Sequence, residues 1–308
     1  MEKNIIKFIE IYNKEQLGEY KENVNLKNYN TYKVDALGRL IIFPKDTKSL
    51  IRALQIIKEK KINYLVLGNG SNVIFNFDVF KGIIIKLDKL DKLKINSNLV
   101  TVGAGYMVPK LAYLVAKQGL SGLEFAYGIP GMVGASIAMN AGAYNASFAD
   151  IVKDVLVLTP SLEVKTLNNK DLNFAYRDSF LKQNKDYIVL EANLVLTKKD
   201  KEQILSLMQE RKEKRLATQP LDKPSAGSVF RNPLNLYAGS LIENCNLKGY
   251  NINGAKVSLK HANFIINDGL AKGKDIVNLI NLIKDKVEEK YNVDLILEQI
   301  IINGDISE

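Results

Sequence analysis

Three polar residues, Arg177, Ser228 and Glu298, stand in segments whose composition indicates chemistry as well as packing. Arg177 lies between aromatic residues, and its planar guanidinium could bind a carboxylate through two hydrogen bonds, although this segment taken alone favours a surface ion pair with Asp178. Ser228 lies in a proline-bounded loop that could present a hydroxyl and backbone donors. Glu298 interrupts the aliphatic run DLILEQIIIN. Because burying an unpaired carboxylate is costly, this residue belongs either at an exposed edge or in a site.

The single histidine, His261, and the single cysteine, Cys245, exclude several kinds of chemistry. Ser228 has no histidine beside it, which argues against Ser-His-Asp hydrolysis, and one histidine with one cysteine cannot form a zinc cage. No spacing of carboxylates asks for a metal, so we expect none. A Cys-His nucleophilic pair would need Cys245, whose apolar surroundings predict a buried helix. His261 is either a partly buried structural residue or a ligand contact, and the sequence favours neither.

Two glycine-rich segments could hold a ligand against the backbone. In the first, glycines permit positive φ and successive N–H groups could bind an anion, but the segment is neither a dinucleotide fingerprint nor a Walker loop, and a hairpin turn would explain it equally. In the second, small residues leave room for a flat ligand, although tight helix packing also uses them. The candidate contacts are Gly68, Asn69, Gly70, Ser71 and Asn72 in the first segment, and Gly128, Ile129, Pro130, Gly131, Gly134, Ala135, Asn140, Ala141 and Gly142 in the second.

Composition and charge point to a soluble protein. The chain has 308 residues, 46% of them hydrophobic and 25% charged, and carries a formal net charge of +9. Its lysines are spread along the chain among acidic residues, so we expect steering of anionic ligands and no nucleic-acid partner. No apolar run approaches the roughly 18 residues that span a bilayer, and no signal peptide is evident. A single cysteine fits a reducing compartment, so we expect a cytoplasmic location without membrane insertion and with no obligate protein partner.

Hydrophobic periodicity predicts an α+β architecture. Residues 1–18 predict one short amphipathic helix. The strand RLIIFP precedes a second helix, with Asp46 or Thr47 as its N-cap. A long charged helix follows residue 199, where we place a domain boundary. A later helix carries its apolar residues on one face: Ile276, Leu279, Ile280, Ile283 and Val287.

The motifs together resemble the UDP-N-acetylenolpyruvoylglucosamine reductases (the MurB family), in particular its compact second type. The resemblance covers roughly residues 24 to 304 and rests on GNGSN, GIPGxVGA, NAGAY, YRxSF, PSAGSxFxNP and the late glutamate, in that order. It implies an FAD-binding domain of the PCMH type, as in vanillyl-alcohol oxidase, followed by a smaller α+β substrate-binding domain. We place an N-terminal helical extension at 1–29 and the two domains at 30–199 and 200–308.

The resemblance also implies a reaction and a role for individual residues. NADPH would reduce noncovalent FAD, and the reduced flavin would pass a hydride to the enolpyruvyl group of UDP-N-acetylglucosamine enolpyruvate, in a cleft between the domains. Ser228 matches the family's proton donor, Arg177 the arginine that binds the substrate carboxylate, and Glu298 the catalytic glutamate. The glycine segments match the flavin contacts. Substrate contacts are implied for Tyr176, Gly227, Arg231, Asn232 and His261.

Two departures from the family pattern and two rival functions remain at this point. Asp35-Ala36 stands where the family often has Gly-Gly, and Gln299-Ile300 follows the glutamate where Val-Arg is common. One rival is another FAD-dependent oxidoreductase of the same fold, which would oxidise an alcohol or lactone. Many of those tether flavin through histidine or cysteine, but Cys245 and His261 lie outside the predicted flavin segments. The other rival is a nucleotide-sugar or nucleic-acid binding protein without catalysis.

Overall fold

The structure is a computed structural model that describes residues 2–304. These residues form an α+β fold, which confirms the predicted class. The helices are α1 (Glu2–Lys14), α2 (Thr47–Glu59), α3 (Val108–Ala116), α4 (Val133–Ala138), α5 (Phe180–Gln183), α6 (Lys201–Thr218), α7 (Ala238–Asn244) and α8 (Gly273–Tyr291), with 3-10 turns at Leu26–Tyr29, Phe148–Asp150 and Asn169–Leu172. No helix within the described residues is long and apolar enough to cross a membrane.

The strands are mostly short. They are β1 (Gly18–Asn25), β2 (Leu37–Pro44), β3 (Tyr64–Val66), β4 (Val73–Asn76), β5 (Val79–Ile85), β6 (Leu93–Asn96), β7 (Leu99–Gly103), β8 (Leu120–Ser121), β9 (Gly142–Ala143), β10 (Ala146–Ser147), β11 (Val152–Leu158), β12 (Val164–Asn168), β13 (Ile188–Val195), β14 (Thr197–Lys198), β15 (Asn251–Ile252), β16 (Ala255–Val257), β17 (Ile265–Asn267) and β18 (Ile300–Asn303).

The chain divides into two compact units, each assembled from separate stretches of sequence. Unit 1 consists of Met1–Lys21, Leu40–Gly68 and Gly82–Glu213. Unit 2 consists of Glu22–Arg39, Asn69–Lys81 and Lys214–Glu308. This division differs from the boundaries expected at 1–29, 30–199 and 200–308, because strands β1, β2 and β5 each continue through a boundary that no local composition marks.

Buried side chains explain the two largest differences. Helix α1 is not a separate extension, because Phe8 and Tyr12 are fully buried in the same hydrophobic cluster as Leu54. Helix α6 likewise begins within unit 1, since Ile204 and Met208 are buried in that cluster. Unit 1 therefore runs past residue 199, to Glu213.

Unit 1 is built on a five-stranded sheet of order β12-β11-β13-β7-β6, in which all neighbours are antiparallel. Alternate residues of these strands face the core, as a half-buried antiparallel sheet requires. Val155 on β11 lies opposite Ala192 on β13, and both are buried. Helix α4 packs against β13 and β7, which brings the second glycine-rich segment to this sheet.

The sequence predicted Asp46 or Thr47 as the N-cap of helix α2, and the structure shows that it is Asp46. Its Oδ1 accepts a hydrogen bond from the Ser49 N–H at 2.8 Å, and this bond holds the pKa of the carboxyl below its usual value. A carboxyl whose pKa is lowered by folding stabilises the protein above its ordinary pKa and loses that contribution as the pH falls.

We expect Asp46→Ala to lower the free energy of unfolding by about 1 kcal/mol at neutral pH, because the substitution removes the acceptor of the Ser49 N–H. Urea unfolding followed by circular dichroism measures this change. Asp46→Asn is the matched control, since asparagine caps as well as aspartate, and it should cost only a few tenths of a kcal/mol. Equal losses in the two variants would assign the effect to charge and contradict the capping role.

Unit 2 has a three-stranded antiparallel sheet, β15-β16-β17, covered by helix α8. The predicted apolar face of α8 is confirmed, since its five members are all buried in the core of this unit: Ile276, Leu279, Ile280, Ile283 and Val287. Strand β18 pairs in parallel with β4, so that Ile300 lies opposite Val73. This pairing places the segment before β18, which contains Glu298, beside the end of the first glycine-rich loop.

The prediction that Cys245 lies in a buried helix is wrong. Helix α7 ends at Asn244, and Cys245 is its C-cap residue with a partly exposed side chain. The helix ends because Asn246 takes a left-handed conformation, with φ of 57°. The apolar spacing in this stretch belongs to the short helix α7 and to the loop that follows it.

Candidate active site

Arg177 lies at the tip of a tight turn in unit 1. The N–H of Ala175 donates to the Asp178 carbonyl at 3.0 Å, and the N–H of Asp178 donates back to the Ala175 carbonyl at 3.1 Å. Arg177 itself has φ of 55°, a conformation that is strained for a residue with a side chain. Its guanidinium stacks on the ring of Tyr176, 5.2 Å from the centroid, and donates to the Gly142 carbonyl at 2.6 Å.

The carboxylate of Asp178 accepts hydrogen bonds from Ser179 and Gln183. It accepts from the Ser179 N–H at 3.0 Å and from the Gln183 amide at 3.1 Å, which ties it to the start of α5. Together with the Gly142 bond, these contacts hold the arginine side chain beside the second glycine-rich segment and the acid beside α5. Neither of these two hydrogen bonds of the Asp178 carboxylate is with Arg177.

Asn140 joins the second glycine-rich segment to the Arg177 turn. Its side chain is buried, donates to the Ala175 carbonyl at 2.8 Å and accepts from the Ala149 N–H at 3.0 Å. Both ends of this amide therefore bind protein backbone. The predicted cofactor contact Asn140 holds the predicted catalytic arginine in place, a connection that the sequence does not reveal.

Close packing against alanine side chains explains two of the predicted cofactor glycines in unit 1. A Cβ on Gly134 would lie 2.8 Å from the Cβ of Ala104, and one on Gly68 would lie 3.1 Å from the Cβ of Ala135. The structure thus brings Gly68 and Ala135, taken from the two separate glycine segments, against each other. Ala135 remains exposed on its turn of α4.

Lys86 is a buried cation beside the first glycine segment, and sequence analysis missed it. Its ammonium group donates to the Gly68 carbonyl and lies 3.6 Å from the Asp88 carboxylate. Burial lowers the pKa of this amine, and Asp88 partly offsets that effect. The signal in the sequence was a lysine at the end of the aliphatic run GIIIKL, which ordinary strand packing does not require.

The remainder of the first glycine segment belongs to unit 2. Gly70 has φ of 66°, and a Cβ there would lie 2.0 Å from the Tyr29 carbonyl oxygen, so only glycine fits. Among residues 2–304, the backbone N–H groups of Gly70 and Ser71 and the Ser71 hydroxyl bond to no protein acceptor. These donors fit an anionic phosphate group. Asn72 donates through its amide to the Glu298 carbonyl at 3.2 Å.

Ser228 and Glu298 lie on neighbouring backbone segments of unit 2. The Glu298 N–H donates to the Val229 carbonyl at 2.8 Å, and Phe230 forms an isolated antiparallel bridge with Leu297. Ser228 directly precedes Val229, and Glu298 directly follows Leu297. The serine hydroxyl and the glutamate carboxyl therefore belong to two backbone segments that hydrogen-bond to each other. Glu298 precedes strand β18 and is half-buried, between the two alternatives that the sequence left open.

Four predicted substrate contacts have different surroundings. The ring of Tyr176 is 54% exposed. Asn232 accepts from the Ala238 N–H at 3.1 Å and so caps the start of α7. Gly227 has φ of 77°, in the left-handed region. Arg231 carries a buried Nε–H that finds no acceptor within residues 2–304, a donor that an anionic ligand would satisfy.

His261 supports the loop that contains Ser228. Its Nδ1 accepts from the Asn263 N–H at 3.2 Å, and its ring packs edge-on against Phe264. Burial lowers the pKa of the imidazole, and Lys248 lowers it further, so the ring is neutral at neutral pH with its proton on Nε2. Asn263 in turn binds the N–H and carbonyl of Phe230, at 3.0 and 2.8 Å.

Comparison with known proteins matches both parts of the chain. Residues 39–168 match the FAD binding domain model, and residues 219–302 match the C-terminal domain model of UDP-N-acetylenolpyruvoylglucosamine reductase. The reductase of Halalkalibacterium halodurans is 43% identical over 91% of this chain and 93% of its own length. That of Bacillus subtilis is 40% identical over 97% and 99%.

The chain belongs to the UDP-N-acetylenolpyruvoylglucosamine reductase family. The crystal structure of the family member from Thermus caldophilus agrees, with a TM-score of 0.79 and 33% identity over 92% of this chain and 98% of that one. The resemblance inferred from the motifs is confirmed. As a member of this family with an FAD-binding domain, the chain is an FAD-containing oxidoreductase.

The residues present fit FAD. A flat ring system needs backbone without side chains, and a pyrophosphate needs N–H donors and positive charge. Unit 2 supplies the unpaired N–H donors of Gly70 and Ser71, and unit 1 by itself supplies the buried Lys86 amine. Gly68 and Gly134 pack against Ala135 and Ala104 within unit 1, so packing alone accounts for those two glycines. No group of three or more histidine, cysteine, aspartate or glutamate side chains that could hold a metal occurs within residues 2–304.

Proposed function

We propose that this family member reduces UDP-N-acetylglucosamine enolpyruvate to UDP-N-acetylmuramate with NADPH, in peptidoglycan precursor synthesis. When bound, FAD would supply hydride transfer between NADPH and the terminal carbon of the enolpyruvyl group. The neighbouring carbon must then receive a proton while negative charge on it and its carboxylate is stabilised. The observation that carries the proposal is the pairing of the backbone segments that hold Ser228 and Glu298, within a chain of this family.

Ser228 is the proposed proton donor. Its hydroxyl would give its proton to the carbon next to the reduced one and regain a proton from solvent. A hydroxyl is a weak acid in water, so this role requires a fixed position and nearby charge that favours proton transfer. Support comes from the placement of Glu298 one residue beyond the bridge between Phe230 and Leu297.

Arg177, Glu298 and Arg231 are the proposed charge partners of the substrate. Arg177 would bind the substrate carboxylate through two hydrogen bonds. It would also stabilise the negative charge that develops on the substrate before the carbon is protonated. Glu298 would lie against the same carboxyl region. The buried, unsatisfied Nε–H of Arg231 supports a contact with an anionic part of the substrate. Tyr176, Gly227, Asn232 and His261 stay proposed substrate contacts, the last through its neutral ring.

Flavin binding is proposed to be noncovalent. The contacts are assigned to residues 68–72 and to the segment from Gly128 to Gly142, and neither Cys245 nor His261 belongs to these stretches. With NADPH as co-substrate and a nucleotide sugar as substrate, the chain would act in the cytoplasm and serve cell-wall biogenesis, and through it cell shape and division. No obligate protein partner and no metal enter this proposal.

We expect purified, FAD-loaded protein to oxidise NADPH beyond the single equivalent that reduces its flavin only when UDP-N-acetylglucosamine enolpyruvate is present, with one NADPH used for each product formed. Absorbance at the nicotinamide band without oxygen measures NADPH, and chromatography measures the product. The matched control is UDP-N-acetylglucosamine, which lacks the enolpyruvyl group and should give no turnover. Oxygen-dependent oxidation of an alcohol or lactone, without reduction of the enolpyruvyl ether, would favour the rival oxidoreductase and refute this proposal.

A further inference from the structure

In the loop that presents Ser228, packing holds Ala226, which is buried in the core of unit 2, but not the residue that follows it. Gly227 has φ of 77°, and a Cβ built on it would meet no atom within 4 Å. Glycine is therefore needed here for its conformation, and the space around it is open. At Gly227 and Ser228, hydrogen bonds to the backbone must therefore supply the restraint that packing does not.

One side chain, Gln299, supplies those hydrogen bonds. Its Nε2 lies 3.1 Å from the Ala226 carbonyl oxygen, 3.1 Å from that of Gly227 and 3.4 Å from that of Ser228. Within residues 2–304, no other protein group hydrogen-bonds the backbone of residues 225–228. The carbonyls of three consecutive residues thus converge on one amide nitrogen, whose two protons they share.

The orientation of the Gln299 amide is fixed by Tyr32. The Tyr32 hydroxyl donates to Gln299 Oε1 at 2.9 Å, and both side chains are buried, with exposed fractions of 0% and 3%. Burial raises the pKa of the Tyr32 phenol, so it remains a neutral O–H donor. A flipped amide would set its oxygen against three carbonyl oxygens and its NH2 against a hydroxyl donor, so one orientation is strongly preferred.

The rest of the segment is held differently. Val229 is bound on both sides, since its N–H donates to the Asn263 carbonyl at 2.9 Å and its carbonyl accepts from the Glu298 N–H at 2.8 Å. Phe230 is bound by the Asn263 side chain. Backbone pairing therefore ends at Val229, and Gln299 extends the restraint to Ser228 with a side chain. Sequence analysis recorded Gln299 only as a departure from the family pattern.

We propose that Gln299, oriented by Tyr32, is a positioning residue that fixes the Ser228 loop for proton delivery to the substrate. This inference rests on the proposed role of Ser228 as proton donor. Gln299 itself touches neither substrate nor flavin in this scheme and acts only through the three carbonyls. Its loss should slow protonation while leaving hydride transfer from NADPH to flavin unaffected.

The test compares Gln299→Leu and Tyr32→Phe with the unaltered FAD-loaded enzyme. Because displacing a reacting group by about 1 Å can cost about 100-fold, we expect Gln299→Leu to lower kcat roughly 10- to 100-fold with little change in KM for the enolpyruvyl substrate. Stopped-flow reduction of the flavin by NADPH should keep its wild-type rate. Tyr32→Phe, which keeps the amide but frees its orientation, should lower kcat by a smaller factor.

Asn30→Leu is the matched control for removal of a buried amide in the same unit. Asn30 is 3% exposed, and its side chain binds the backbone of Leu26 and Val34 without contact to the Ser228 loop. It should lose thermal stability much as Gln299→Leu does while retaining kcat. The double variant with Tyr32→Phe and Gln299→Leu should be no slower than Gln299→Leu alone, since Tyr32 acts through the amide.

Several results would overturn the inference. These are an unchanged kcat in Gln299→Leu, an equal loss of flavin reduction by NADPH, a kcat loss of the same size in Asn30→Leu, or additive effects in the double variant. If Gln299→Leu does not fold, an unchanged kcat in folded Tyr32→Phe would overturn it equally. Failure of the Ser228 assignment is distinguishable, because Ser228→Ala would then either keep full product formation or slow both half-reactions equally, whatever the Gln299 variants do.

Discussion

Ser228→Ala is expected to keep reduction of the flavin by NADPH at its normal rate and to slow product formation by about 100-fold or more. The two half-reactions need different groups, and only the second requires a proton at the substrate carbon. Loss of one ordinary neutral hydrogen bond costs about 0.5–1.5 kcal/mol, which is at most about a 12-fold change in rate. A hundredfold loss confined to the second half-reaction therefore identifies a proton donor and not merely a binding contact.

Ser225→Ala is the matched control for this prediction. Ser225 lies three residues earlier in the same loop, and it has no proposed contact with substrate or flavin. It should retain both half-reactions. Anaerobic stopped-flow measurement follows flavin absorbance during each step, first with NADPH alone and then with the enolpyruvyl substrate. Equal slowing of both steps in Ser228→Ala would contradict the assignment and show that the serine instead maintains the structure of the loop.

The sequence predicted the fold class, the family and several local features, because those depend on short-range patterns. The apolar face of α8 and the N-cap at Asp46 follow from helical spacing and from the residue type at one position. The domain boundaries were not predictable in the same way. Strands β1, β2 and β5 pass from one unit to the other without any change of composition, since the restraint on them is pairing with distant strands.

The supporting residues of the candidate site were also beyond local reasoning. Asn140 and Gln299 bind carbonyls that are 35 and 73 residues away in sequence, for Ala175 and Ala226 respectively. Such hydrogen bonds form only after the chain has folded, and the residue type alone does not predict which distant carbonyl an asparagine or glutamine will bind. A polar residue inside an aliphatic run is the signal that remains, and it marks both Lys86 and Gln299.

Arg177→Met is expected to slow product formation by about 100- to 1,000-fold, as loss of a preorganised donor to developing charge does in other enzymes. Reduction of the flavin by NADPH should change little, because the proposed partner of Arg177 is the substrate carboxylate. Arg177→Lys keeps the charge and the strained backbone but not the planar fork, so it should restore only part of the rate. Steady-state kcat and KM for the enolpyruvyl substrate, with the separate flavin reduction rate, measure these effects.

Arg211→Met is the matched control. Comparing its rate loss with that of Arg177→Met separates two roles for Arg177, stacking on a tyrosine ring and binding of the substrate carboxylate. Arg211 also stacks on a tyrosine in unit 1, with its guanidinium 4.7 Å from the ring centroid of Tyr144. An exposed cation–π contact contributes about 0.5–1 kcal/mol, so stacking alone accounts for at most about a fivefold loss. If Arg177→Met lost no more than Arg211→Met, the Arg177 side chain would serve only to hold its turn against Tyr176 and Gly142. A loss a hundredfold greater, recovered in part by lysine, would indicate that Arg177 contacts the charge that develops on the substrate.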